Sequence, residues 1–285
     1  MADSPVWFIT GASSGFGAVL AEAALKAGNR VIATARNPEK ARRELPHIEA
    51  LGGKWLHLDV TSADVRRKVE DVVQEYGRID VAVNNAGYSL IGAVEDMSES
   101  EIEQQFSTNV YGPIRIMQAV IPSMRARKSG TIVNVSSIAG LDGRPSCSMY
   151  AGTKFALEGI SEALARDLAP FNVRVLLVEP GAFRTGFASA ILAPASGTCK
   201  AYQGTPLAQV QDYLREINGK QPGDPIKAAA RIIEVVTGTG MGAGKTELLR
   251  LPLGPDCMQR ARSKVQALKE NLDAMEEIAM STDYS

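Results

Sequence analysis

Short apolar runs rich in β-branched residues recur along the chain, and between them apolar positions return at helical spacing. The runs fall at residues 5–10 (PVWFIT), 30–35 (RVIATA), 54–58 (KWLHL), 79–83 (IDVAV), 130–136 (GTIVNVS), 173–178 (VRVLLV) and 247–251 (ELLRL). Runs that alternate with helices and lack a polar face read as strands of a parallel sheet buried on both sides. The pattern predicts an α/β fold: one doubly wound, seven-stranded parallel sheet with helices on both faces, in a single domain over residues 1–285. Helix starts are legible too. Asn37-Pro38 joins an N-cap to a first-turn proline, Thr61-x-x-Asp64 and Ser98-x-x-Glu101 resemble capping boxes, and Asp224-Pro225 opens another helix. Residues 182–222 hold several glycines and prolines and exceed the usual loop length, which points to a functional lid. Over residues 255–280, Met258, Ala261, Val265, Leu268, Leu272, Met275 and Ile278 mark a C-terminal amphipathic helix.

Composition narrows the function classes. Apolar residues make up 45 % and charged ones 22 %, ordinary for a globular chain. With 31 Lys plus Arg against 32 Asp plus Glu, the net charge of -1 favours neither nucleic acid nor an anionic membrane as partner. Cys147, Cys199 and Cys257 are odd in number and widely spaced, which argues against a disulfide framework and suits a reducing, cytoplasmic setting. No leader-like N-terminal pattern and no run of 18 apolar residues is present, so a soluble protein is expected. His47 and His57 have no partner at ligand spacing, and no metal is expected. Asn134-Val-Ser136 matches a glycosylation sequon but falls within a buried strand. The glycine-rich stretch 237–246 imitates a phosphate-binding loop, yet its spacing fails and it leads from helix to strand, the wrong order.

Chemistry concentrates elsewhere. Tyr150 and Lys154 stand four apart, so a helix stacks phenol and ammonium on one face, where the cation can ease ionisation of the tyrosine. A strand, then Thr10-Gly11-x-x-x-Gly15-x-Gly17, then a helix is the order a dinucleotide site needs. Glycines let the backbone approach a pyrophosphate, and the helix N-terminus offers unpaired N–H groups to it. The second strand ends in Ala35 rather than an acid that would repel a 2′-phosphate, and Arg36 follows with a guanidinium suited to bind one. NADP(H) is therefore favoured over NAD(H).

Taken in order, these motifs resemble the non-extended type of the short-chain dehydrogenase/reductase family, whose glycine pattern is T-G-x-x-x-G-x-G. The likeness continues through Asp59-Val60, the Asn84-Asn85-Ala86-Gly87 run, Asn109, Ser137, Tyr150, Lys154 and Pro180-Gly181-x-x-x-Thr185. It implies a Rossmann-like fold and a catalytic set of Asn109, Ser137, Tyr150 and Lys154. It also implies cofactor contacts from Gly11, Ser13, Ser14, Gly15, Phe16, Gly17 and Arg36, with Asp59 and Val60 at the adenine. Asn85, Ala86 and Gly87 would line the ribose side, Lys154 would bond the nicotinamide ribose, and Phe183 and Thr185 would hold the carboxamide. By the same resemblance Asn109 holds a water that links the lysine to solvent, and Pro113 nearby is compatible with a helix kink.

Leu90, Leu141, Cys147, Met149, Phe183, Phe187, Ile191 and Leu192 are mostly apolar and suggest a pocket for an apolar carbonyl compound or alcohol. The lid resembles those of steroid and retinol dehydrogenases, and the C-terminal stretch resembles a microbial oxidoreductase branch. Helices near 99–127 and 150–170 are apolar on more than one face, as in the family's four-helix interface, which implies a homodimer or homotetramer. Two other readings stand beside a carbonyl reductase. A dinucleotide-binding redox sensor need not retain Ser137, Tyr150 and Lys154 together, and a sugar-nucleotide epimerase has a different glycine spacing.

Overall fold

Seven strands lie side by side in the order β3-β2-β1-β4-β5-β6-β7, every pair parallel. They are β1 (Val6–Ile9), β2 (Arg30–Ala35), β3 (Lys54–His57), β4 (Val81–Asn84), β5 (Gly130–Val135), β6 (Val173–Pro180) and β7 (Arg250–Leu253) in a computed structural model. It describes residues 4–187 and 190–284; the ends of the expected domain span and Ala188 and Ser189 of the expected lid lie outside the described residues. The doubly wound parallel sheet read from the strand pattern, and the Rossmann-like fold implied by the resemblance, are observed.

The alternation within β1 shows why the sheet is covered twice. Trp7 and Ile9 face a core shared with α1 (Gly15–Lys26) and α9 (Pro225–Thr237), while Val6 and Phe8 face one shared with α4 (Val65–Tyr76) and α6 (Gly112–Arg127). All four strand residues are fully buried. Removing each large side chain from water contributes about 1.5–3 kcal/mol, and this two-sided burial requires both helical layers. α7 (Ser148–Leu168) adds Leu168 and the half-buried Ile160 and Leu164 to the second core.

Several local signals behave as expected. Asn37 caps α2 (Pro38–Glu44) by accepting from Lys40 N, and Asp224 caps α9 through Ile226 N and Lys227 N. Ser98 and Glu101 complete a capping box on α5 (Glu99–Phe106). The segment 237–246 joins α9 to β7, as its order along the chain implied.

Other details differ. Thr61 caps nothing: its hydroxyl donates to Asp59, and α4 starts behind Asp64 without a side-chain cap. Pro46 divides the helix expected after Asn37, so α3 (Pro46–Ala50) follows α2 as a separate turn. The last strand starts three residues late because Leu248 N closes a turn onto Lys245 O. Pro252 is tolerated in that strand because β7 lies at the sheet edge. The lid is partly regular, with α8 (Pro206–Glu216) inside it. The C-terminal helix α10 (Pro255–Met280) has the expected span, but beyond Cys257 its large apolar side chains, Val265 and Leu272 among them, are exposed.

The close approach of α1 to the preceding turn is testable. A Cβ at Gly17 would lie 2.5 Å from Asn85 Nδ2 and closer still to the Gly11 carbonyl oxygen. Gly17→Ala should lower unfolding free energy by about 1–3 kcal/mol in urea titration despite alanine's better helix propensity. An unchanged midpoint would show that the turn has slack.

Candidate active site

Parallel pairing brings the carboxyl ends of β1, β4, β5 and β6 to one edge of the sheet, where ligands bind in folds of this class. At that edge Thr10 N donates to Val83 O at 3.0 Å, and Asn85 Nδ2 reaches Thr10 O at 2.9 Å and Gly11 O at 3.1 Å. Gly11 turns the chain with φ 64°, and a Cβ there would approach Ala86 Cα to 2.9 Å. Only glycine satisfies both demands. The first turn of α1 follows without any side-chain cap from Ser14, so its leading N–H groups are free to meet an anion.

Beyond this turn opens a cavity of about 710 Å³. Its wall includes every catalytic and cofactor-binding candidate from the sequence except Gly17, packed behind the turn, and Asn109, packed behind Gly87 and Tyr88. Arg36 is exposed at the rim and forms no ion pair among the described residues. Asp59 is occupied instead by Thr61, whose N and Oγ1 donate to it at 2.9 and 2.7 Å. Those bonds and Arg36 together outweigh burial and hold the Asp59 carboxyl below its usual range.

Tyr150 opens α7 and Ser137 follows β5, so the two hydroxyls meet on the cavity wall. Burial pushes the Tyr150 phenol up to about 12, and hydrogen bonding with Ser137 works against that rise. Lys154 lies one turn further along, only 6 % exposed, and its Nζ donates to Val135 O at 2.8 Å. Burial lowers Lys154 to about 8, opposed by the charge of Glu158. Desolvation thus outweighs the easing of Tyr150 by Lys154 expected from their spacing.

Asn109 lies in a π turn (Ser107–Tyr111) between α5 and α6. Pro113 has no N–H to give the Asn109 carbonyl four residues back, and its ring crowds that oxygen, so a wider turn relieves the helix. Asn109 Nδ2 donates to Tyr88 O at 2.9 Å and Thr153 Oγ1 at 3.1 Å, and its Oδ1 accepts from Tyr88 N at 3.1 Å. This side chain clamps the loop after β4 to α7.

The lid is tied to the body of the protein along its length, Ala195 N donating to Glu101 Oε1 and Cys199 N to Asp96 Oδ2, both at 2.8 Å. Phe183 bridges Gly223 and packs edge-on against Phe16 with centroids 5.1 Å apart, and Leu192 N donates to Ser89 O at 2.9 Å. Cys147, Phe183, Phe187, Ile191 and Leu192 line the cavity as expected, whereas Leu90, Leu141 and Met149 do not. Sequence reasoning missed Arg144 and the α8 residues Val210, Tyr213 and Leu214, which also line it. Thr205-Pro206 followed by apolar Leu207, Val210 and Leu214 was the available signal.

The glycine turn, the uncapped helix start and the tyrosine–lysine pair share one cavity wall. The family model described as short chain dehydrogenase matches residues 5–195, and the chain belongs to the short-chain dehydrogenase/reductase family. Oxidoreductase BOA17 of Botryotinia fuckeliana is 35 % identical over 282 residues, covering 97 % of this chain and 98 % of that protein. A short-chain dehydrogenase from Streptomyces avermitilis superposes with a TM-score of 0.88 at 39 % identity, over 99 % of both chains. A metagenomic short-chain oxidoreductase solved with NADP gives 0.60 at 34 %, covering 65 % of this chain and 86 % of that one. One from Burkholderia phymatum solved with NAD gives 0.79 at 23 %, over 94 % and 95 %, so the fold alone does not select the dinucleotide. The protein is an oxidoreductase of this family. Among the described residues no His, Cys, Asp and Glu cluster suits a metal, and no helix is long and apolar enough to cross a membrane.

Proposed function

We propose that the protein is an NADP(H)-dependent enzyme that interconverts an apolar ketone or aldehyde and its alcohol. The observation that carries this reading is the meeting of Ser137, Tyr150 and Lys154 on the wall that also holds the uncapped start of α1. The residues fit such a cofactor: the turn from Gly11 to Phe16 and the N–H groups of α1 would bind the pyrophosphate, and Arg36 the 2′-phosphate. Asp59 and Val60 would flank the adenine, Asn85, Ala86 and Gly87 the ribose side, and Phe183 and Thr185 the carboxamide. When bound, the nicotinamide supplies or accepts the hydride.

The chain's own residues manage the oxygen and the proton. Ser137 and Tyr150 donate hydrogen bonds to the substrate carbonyl, and Tyr150 gives up its proton as negative charge develops on that oxygen. A phenol held near 12 is protonated at neutral pH, which suits the reductive direction. The reverse reaction needs the phenolate, which the Lys154 ammonium stabilises. Asn109 acts as a positioning residue for this wall. Phe187, centroids 6.0 Å from Tyr150, and the apolar lid side chains exclude water and select an apolar substrate. The complete hydroxyl–phenol–lysine set favours an enzyme over a redox sensor, and the glycine spacing disfavours an epimerase. The setting proposed is cytoplasmic, in keeping with free Cys147, Cys199 and Cys257.

Tyr150→Phe should lower turnover by about 10²–10⁴-fold in a ketone-reduction assay while NADPH affinity stays nearly constant. Near-normal turnover would remove Tyr150 from the chemistry. Arg36→Ala should weaken NADPH by roughly tenfold or more and leave NADH little changed in fluorescence titrations, as loss of one charge-assisted contact implies. Equal losses for both would mean that Arg36 reads no phosphate. Tyr111 on the π turn and Phe155 on α7 are exposed apolar side chains where self-association is proposed. Light scattering should give a dimer or tetramer mass at micromolar concentration; a monomer mass counts against it.

A further inference from the structure

The far half of α10 stands free of the rest of the chain. Its root is anchored: the buried Cys257 thiol donates to Glu179 O at 3.0 Å, and Arg260 Nε donates to Asp142 Oδ2 at 2.8 Å. From Val265 to Met280 every residue is exposed, and the side-chain bonds there stay within the helix, Gln266 to Glu270 and Lys269 to Asp273. At about 1.5 Å per residue this half projects roughly 20 Å. Packing of an apolar face supplies most of a helix's stability in water, and no described element of the same chain covers this one.

The uncovered side chains form a seam. Ala261, Val265, Leu268, Leu272, Met275 and Ala279 recur at intervals of four, three, four, three and four residues. That spacing is the a/d repeat of a coiled coil, a narrower stripe than a helix uses to pack on a globular core. Val265 is 67 % exposed and Leu272 70 %, so the seam is open to a second helix.

Charge decides which helix fits. Residues 258–269 carry Arg260, Arg262, Lys264 and Lys269 and no acid, whereas residues 270–280 carry Glu270, Asp273, Glu276 and Glu277 and no base. Arg260 and Lys269 are already paired with Asp142 and Asp273, but Arg262, Lys264, Glu276 and Glu277 form no ion pair among the described residues. A parallel pair of these helices would bring the basic halves together, with Lys264 at a g position beside Lys269 at an e position of the other copy. An antiparallel pair sets each basic half on an acidic half. It layers Val265 on Met275, Leu268 on Leu272 and Ala261 on Ala279, and it places Arg262 of each copy beside Glu276 of the other. The acidic far half disfavours an anionic membrane as the cover.

We propose that α10 is a docking helix for a second copy of this chain, the two helices pairing antiparallel along the Val265–Met275 seam. The contact lies on a different element from Tyr111 and Phe155 and does not rest on the proposed activity, so a protein inactive on every ketone leaves it standing.

Sedimentation velocity of the full chain at micromolar concentration reads the pairing. Leu268→Glu/Leu272→Glu replaces two exposed side chains, so the thermal melt of the core should hold while the mass of the assembly halves. An unchanged mass overturns the proposal, as does a wild type that sediments as a monomer. Charge exchange leaves the seam intact, reads the orientation, and decides the matter if the double glutamate variant does not fold. Arg262→Glu or Glu276→Arg alone should weaken association by about threefold or more at low salt, and the two together should restore it. No recovery in the combined variant overturns the antiparallel pairing. Flotation of the wild type with phosphatidylcholine–phosphatidylserine vesicles, lost in Leu268→Glu/Leu272→Glu, would mean that a membrane covers the seam instead.

Discussion

The hydroxyl of Thr10, 1 % exposed between the ends of β1 and β4, joins the two halves of the site. It donates to Val83 O at 3.2 Å and accepts from Asn85 N at 2.9 Å and Ala86 N at 3.1 Å, which uses its one proton and both lone pairs. That junction holds the glycine turn of β1 against the loop that follows β4. Asn109 then clamps the same loop to α7, and α7 carries Tyr150 and Lys154. The cofactor groove and the tyrosine wall are thus two sides of one hydrogen-bonded unit. Parallel pairing makes this possible, because strands that all end at one edge deliver their following loops to one place.

The strand pattern revealed the sheet because runs apolar on both faces have few alternatives to a parallel core. Edges were less legible. β7 is short, carries Pro252 and pairs on one side only, so its start depends on a turn at Lys245–Leu248 that no periodicity announces. Thr61-x-x-Asp64 matched a cap by letter while Asp59 took the hydroxyl, a competition visible only in three dimensions. The lid concealed α8 because its glycines and prolines read as irregular chain, although Pro206 starts a helix there rather than breaking one.

Residues of the candidate site were found where the chemistry is local in sequence: the glycine turn, the Asn85–Gly87 run and the Tyr150–Lys154 spacing. Gly17 and Asn109 belong to the same motifs but act from behind the wall. The ion pairs that Arg250 makes with Glu158 at 3.3 Å and Glu179 at 3.2 Å were invisible, since the three residues come from distant segments and carry no pattern linking them. Burial lowers Lys154 to about 8, and the charge of Glu158, one turn further along the same helix, opposes it.

In the proposed reaction, hydride and proton meet at one carbonyl on this wall. Reduction of a ketone with NADPH deuterated on one face of nicotinamide C4 tests it most directly. The account predicts full transfer of deuterium to the carbinol carbon from one face and none from the other, with the hydroxyl hydrogen exchanging with solvent. Oxidation of NADPH without deuterium in the alcohol, or equal transfer from both faces, would contradict it.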